Sequence, residues 1–198
     1  KKNKVSLPYF MGSMDKIKPN TKALPNWQQK YNGPYVLSVK LDGVSGLYTT
    51  MGDVAKLYTR GNGKVGQDVS HLIPFLKLPK EGGVVIRGEF IMKRSVYYEN
   101  YDSSSANPRN LISGWINAKN ISLEKFYDID FVAYEVIEPV MMPSAQMDFL
   151  NRKNVICVEN IIVHNITNET LSELLVKWRK GHDYESDGVI VCNNKIYP

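Results

Sequence analysis

Lys40 interrupts the apolar stretch YVLSVKLDG (residues 35–43) and is followed closely by Asp42 and Gly43. An ordinary lysine, with a pKa of about 10.4, is protonated at neutral pH and is a poor nucleophile. Desolvation or neighbouring cations free its lone pair. On a rigid strand beside a phosphate-binding cleft, such an amine can attack phosphorus and form a phosphoramidate. The same pattern also fits a β-turn with a solvated lysine next to it. Three further stretches supply groups that phosphoryl chemistry needs. TRGNGKVGQD (59–68) sets Arg60 before Gly61 and Gly63, in a loop whose backbone can approach a phosphate or sugar. IRGEF (86–90) places Arg87 and Glu89 in an apolar strand, where charges need partners or a role. YESDGVIV (184–191) brings Glu185 and Asp187 to the start of another. Together they offer a lysine, an arginine and several carboxylates at strand ends, the layout of a cleft for a nucleotide and a divalent metal.

The elements that must position these residues can be read from pattern. Residues 1–26, with Pro8, Pro19 and Pro25 and little apolar periodicity, read as an extended lead-in arm. Strands follow over 34–43, 44–50 and 54–60, separated by Asp42-Gly43 and Gly52-Asp53, which suggests an antiparallel meander. DVSHLIPFLK reads as a short helix interrupted by Pro74, and GGVVIRGEFIM as a β-branched strand. SVYYENY and NPRNLISGWINAK read as helices, the second with Pro108 at its start. YDIDFVAYEVIEP is a strand stopped by Pro139, and Ser103-Ser104-Ser105 is a loop. The plainest helix is TNETLSELLVKWRKG, with Leu171, Leu174, Leu175 and Trp178 on one face, a capping box from Thr170 and Glu173, and Gly181 as its stop. SDGVIVCNN is the last strand. Strands in meanders with helices between them, and no βαβ rhythm, argue for an α+β fold.

Composition narrows the class further. The chain has 198 residues, 43% hydrophobic and 23% charged, which suits one large domain or two small lobes. A net charge of +5 fits a polyanionic partner without identifying one. Cys157 and Cys192 are the only cysteines, too few for a disulfide framework or a structural zinc site. His71, His164 and His182 lack metal-ligand spacing. No stretch reaches the roughly 20 apolar residues of a membrane span, and no signal-peptide pattern opens the chain, so an intracellular protein is expected.

Taken in order, Lys40-Leu41-Asp42-Gly43, Thr59-Arg60-Gly61-Asn62-Gly63 with Gly66 and Asp68, Arg87-Gly88-Glu89, Asn107-Pro108-Arg109-Asn110, Tyr134 and Asp187-Gly188-Val189 resemble the adenylation domain of NAD-dependent DNA ligases. The resemblance implies a nucleotidyltransferase fold, unlike ATP-grasp, with antiparallel sheets flanked by helices around a nucleotide cleft. Residues 27–198 would form that domain, truncated at its C-terminal end. It implies that Lys40 attacks the α-phosphorus of NAD and becomes lysyl-AMP, and that AMP then passes to the 5′-phosphate of nicked double-stranded DNA. Ser13, Met14, Leu41, Asp42, Gly43 and Val189 would line the nucleotide site, with Tyr134 stacking on adenine. Arg60 and Glu89 would hold the ribose, and Glu89 and Asp187 would organise Mg²⁺. Arg109 and Lys119 would face phosphate or the DNA backbone. A monomer joined to further modules of a larger ligase chain is implied, with no membrane. A non-catalytic nucleotide- or nucleic-acid-binding module, and an ATP-dependent polynucleotide ligase or capping-type enzyme, are the alternatives.

The sequence departs from that family pattern at several positions. Ser38 stands where the family has a glutamate that faces adenine, and Cys192 where it has a lysine that contacts the α-phosphate. Lys195 lies three residues on, with opposite strand parity. Asn117 replaces an arginine, with Lys119 nearby as a substitute, and the family's last lysine motif is absent from these residues.

Overall fold

Asp42-Gly43 does not close a hairpin. In the computed structural model, which describes residues 4–12, 22–102 and 107–197, the strands on either side of it lie in different sheets. Strand β2 (Tyr35–Leu41) is the centre of a three-stranded sheet, between β8 (Asn160–Val163) and β9 (Ser186–Asn193). Strand β3 (Val44–Thr49) belongs to a four-stranded sheet ordered β4 (Lys56–Thr59), β3, β6 (Val85–Ile91), β7 (Asp130–Glu138). A small third sheet pairs β1 (Lys4–Ser6) with β5 (Val65–Gln67). All these pairings are antiparallel. The meander expected over 34–60 therefore survives only as β3–β4. The reason lies at Gly43: a Cβ there would collide with the Phe90 carbonyl oxygen. The chain presses against β6 as it crosses between sheets instead of folding back on itself, and a local turn signal cannot tell the two apart.

Among the described residues, five α-helices complete the fold: α1 (Ala23–Lys30), α2 (Arg94–Asn100), α3 (Pro108–Asn117), α4 (Pro143–Arg152) and α5 (Asn168–Gly181). Short 3₁₀ turns occupy Ser70–Phe75, with Pro74 inside, and Leu123–Asp128. Regular structure thus begins within the stretch expected to be an arm, since β1 pairs with β5 and α1 starts at Ala23. The α5 cap also differs from expectation. Thr167 is the N-cap and forms the box with Thr170, whose hydroxyl accepts from the Thr167 N–H at 2.9 Å, so Glu173 is not needed. Gly181 lies inside the last turn, and the backbone becomes extended at His182. The Ser103-Ser104-Ser105 loop lies outside the described residues.

The core divides in a way that shapes the cleft. One cluster packs Tyr48, Ile86, Phe90 and Phe131 of the four-stranded sheet against Tyr97, Ile112 and Leu150 of the helices. A second joins β2 to α1, α4 and α5 through Leu24, Leu37, Val39, Met147 and Trp178, and takes in Ile91 and Val132 from the other sheet. Burying each large apolar side chain contributes roughly 1.5–3 kcal/mol, so the two clusters supply most of the favourable free energy. On β6 the even-numbered Ile86 and Phe90 face the first cluster. Strand alternation turns Arg87 and Glu89 the other way, into the space between the sheets.

Candidate active site

That space is a cleft of about 710 Å³, and most of the chemistry-bearing residues line it: Lys40, Asp42, Arg60, Arg87, Glu89, Arg109, Tyr134 and Asp187. Lys40 sits next to the last residue of β2, opposite Gly188 on β9. The pairing slips there, because Leu41 pairs with Ser186 and leaves Asp187 as an extra residue on β9. Such a bulge re-aims a side chain. It brings the Asp187 carboxylate to 3.7 Å from Lys40 Nζ, with Lys40 one-third exposed. The bare Gly188 backbone lies beneath the Lys40 stem; an added Cβ would only touch it, at 3.6 Å.

Glu89 is buried opposite. It accepts from the Gly43 N–H at 3.2 Å and the Ser45 hydroxyl at 3.0 Å. Burial raises its pKa to about 7, and the Asp187 charge adds to the rise against the opposing pull of the two hydrogen bonds and Arg109. Helix α3 delivers Arg109. The Asn107 side chain caps the helix by accepting from the Asn110 N–H at 2.8 Å, and Pro108 occupies the first turn, where no N–H is missed. With the helix start held in this way, Arg109 and Asn110 reach the cleft, and Arg109 lies 3.5 Å from Asp42.

Two arginines grip the segment before β2. Arg60 Nε donates to the Met11 carbonyl at 2.9 Å, and Arg87 Nη2 to the Gly12 carbonyl at 3.2 Å. Arg87 also lies 3.6 Å from Glu135 and 5.6 Å over the ring of Tyr134. The Gly-x-Gly loop has a tighter purpose than expected. Gly61 takes φ +56°, the Asn62 side chain accepts from the Lys64 and Val65 N–H groups, and the Gly63 carbonyl holds the Met11 N–H at 2.9 Å. It is the turn between β4 and β5 and a clasp for Met11, while Thr59, Arg60 and Gly61 still face the cleft. Ser13 and Met14 lie just beyond, outside the described residues.

The family model for the NAD-dependent DNA ligase adenylation domain matches residues 10–197. The chain belongs to that family. A DNA ligase of Acanthamoeba polyphaga mimivirus is 39% identical over 98% of this chain, and a putative DNA ligase of Invertebrate iridescent virus 6 is 35% identical over 98%. A DNA ligase of Lachnoclostridium phytofermentans is 30% identical over 94%. The chain spans about a third of the length of these relatives, 32%, 34% and 31%. Among solved structures, one from work on Lig E DNA ligases shares the fold, with TM-score 0.52 and 18% identity, over 86% of this chain and 59% of that one.

Within this ligase adenylation domain, cross-strand pairing shows which remaining residues can take part. Lys40–Gly188, Ser38–Ile190 and Val36–Cys192 form successive pairs on one face of the β2–β9 ladder. Val189 is on the opposite face, packed into the second core, and does not line the cleft; Ile190 does. Position 192 lies four residues past Gly188, about 13 Å along the strand, so its thiol does not reach the cleft. Burial pushes that thiol up to about 11, with the Glu135 charge adding to the rise. Lys119 and Lys195 are exposed and do not line the Lys40 cleft either, whereas Asn117 does. Ser45 and Ser113 are not singled out from sequence, and Asn110 is read in its motif without a role. Ser45 is recognisable only through its cross-strand pairing with Glu89; Asn110 and Ser113 lie one and four residues past Arg109 on α3. Among the described residues no helix is long and apolar enough to cross a membrane.

Proposed function

We propose that this domain takes AMP from NAD onto Lys40 and passes it to the 5′-phosphate of nicked double-stranded DNA. The observation that carries the reading is Lys40 at the cleft floor, beside the bulged Asp187 and ringed by Glu89, Arg60, Arg87 and Arg109. Once the amine has released a proton to water, Nζ forms the N–P bond. The bond from the α-phosphorus to the bridging oxygen breaks, and nicotinamide mononucleotide leaves with the electron pair. Guanidinium groups offset the charge that repels an incoming nucleophile at phosphorus. Tyr134 stacks on adenine with Leu41 beside it, Arg60 and Glu89 hold the ribose, and Arg109 meets phosphate or the DNA backbone. Asp42 and Gly43 set the floor beside Lys40, and the adenosine-site role expected of Ser13 and Met14 falls outside the described residues. Lys119, exposed past α3, contacts DNA outside the cleft.

No group of three or more His, Cys, Asp or Glu suited to a metal occurs among the described residues. That fits Mg²⁺, which is usually held by one or two carboxylates together with substrate phosphates. Of the carboxylates lining the cleft, Asp42, Glu89 and Asp187, the last two would hold the ion, which would supply charge neutralisation at phosphorus. In this reading the enzyme works as a monomer inside the cell, with the rest of a longer ligase chain engaging the DNA.

The test uses NAD or ATP labelled in the adenylate, with Mg²⁺, followed by denaturing electrophoresis. Label from NAD that disappears in Lys40→Ala is the expected result. Label from ATP alone, or from neither, overturns the proposal.

A further inference from the structure

A second cavity of about 490 Å³ lies behind Tyr134. Tyr134 and Ile190 line both this cavity and the Lys40 cleft, so they form the partition between them. The volume falls in the range of small-ligand pockets, roughly 300–1,000 Å³. Its walls include Trp27 of α1, Val36 and Ser38 of β2, Met147 of α4 and Cys192 of β9. Ser38 and Cys192 come from the face that carries Lys40, so the ladder runs from the reactive amine directly into this space. The one carboxylate on its wall, Glu135, lies 3.6 Å from Arg87 and is partnered.

Of the polar groups on the wall, which include Glu135, Gln146, Asn193 and Lys195, Ser38 and Cys192 lie on the Lys40 face of the ladder, and both are adaptable and uncharged. A serine hydroxyl rotates to donate or accept. The Cys192 thiol, with its raised pKa, stays neutral at physiological pH. A site rejects an altered ligand strongly when buried donors or acceptors of fixed sense would be left unpaired, and only weakly when its walls are apolar. Here a chamber walled mainly by apolar side chains adjoins the cleft across Tyr134 and Ile190.

We propose that this cavity admits a substituent on the base, so that the site accepts NAD analogues enlarged at the adenine amino group as donors to Lys40. The inference rests on the functional reading above, with adenine against Tyr134 and its sugar toward Lys40. The sugar-remote edge of the base, which bears the exocyclic amine, then faces Ser38 and the cavity. The chemical step is unchanged: the N–P bond forms at Lys40, nicotinamide mononucleotide leaves with its electron pair, and the substituted adenylate remains on the lysine.

The experiment offers the full-length protein an equimolar mixture of NAD and NAD benzylated on the adenine N6, with Mg²⁺. Intact mass then gives the ratio of the two Lys40 adducts. The expected ratio lies within about tenfold of unity, and a preference for NAD of about a hundredfold or more overturns the proposal. Cys192→Phe and, from the opposite wall, Met147→Phe fill the cavity. In whichever variant melts cooperatively, the benzyl adduct should fall about tenfold or more relative to the NAD adduct. An unchanged ratio in a folded variant overturns the assignment to this cavity. The wild-type ratio decides the matter even if neither variant folds. Absence of any adduct from NAD alone is a different failure, which removes the functional reading itself.

Discussion

The Lys40 ammonium and the Asp187 carboxylate lie 3.7 Å apart because β9 holds one residue more than β2 at the point where they meet. Both groups are substantially exposed, at 33% and 45%, so the pair adds little to stability, less than about 1 kcal/mol. Asp187→Asn should therefore melt close to the wild type. Lys40 adduct formation from NAD should nevertheless slow by about tenfold or more, because the carboxylate that orients the amine is gone. Thermal melts beside adduct kinetics separate the two effects; a large loss of melting temperature would contradict this account.

Glu89 makes the free protein pH-sensitive. Its carboxyl titrates near 7 in the fold against an ordinary 4.5, so folding favours the protonated form. That contribution is fully present below pH 4.5 and is lost as pH rises toward 7. The rise from 4.5 to about 7 corresponds to about 3 kcal/mol. Urea melts of the nucleotide-free protein should show stability declining across this window, and Glu89→Gln should flatten the decline.

Arg87 touches the Gly12 carbonyl, Glu135 and the face of Tyr134 at once. Lysine cannot reproduce a planar group that both forks and stacks. Arg87→Lys should loosen the stacking residue and the segment before Ser13 together. The NAD concentration for half-maximal adduct formation should rise several-fold, more than the maximal rate falls. Equal effects on both parameters would argue against a positioning role.

Asn107 acts through α3. Asn107→Ala removes the cap and should cost about 1 kcal/mol. It should also reduce adduct formation, because Arg109 and Asn110 enter the cleft from that first turn. Restoring the cap with Asn107→Asp should recover the melting temperature, which differential scanning calorimetry would show.

Much of this molecule is legible in its residue order. Apolar and β-branched runs bounded by turn residues and prolines mark β2, β3, β6 and β7, and the spacing of Leu171, Leu174 and Trp178 marks α5. The motifs around Lys40, Arg60, Arg87-Gly88-Glu89, Arg109 and Asp187 identify the family and most of the cleft. These signals are local, since each depends on neighbours within a turn or a strand. Helix α4 and strand β8 were hidden because their polar and apolar residues follow no clean period, and packing against the two cores decides their form.

Only the tertiary structure decides which strand faces which. Asp42-Gly43 reads as a hairpin until Gly43 is seen against the Phe90 carbonyl, where the chain changes sheet. Val189 reads as a site residue until the bulge at Asp187 shifts the parity of β9, sends Val189 into the core and gives Ile190 the cleft. Ser38 and Cys192 read as separate departures from a family pattern until pairing sets them on one face, lining a single cavity. Residue types and spacing carry the chemistry and the family. Sheet membership and register, set by close backbone approach and one extra residue, determine which of those groups meet.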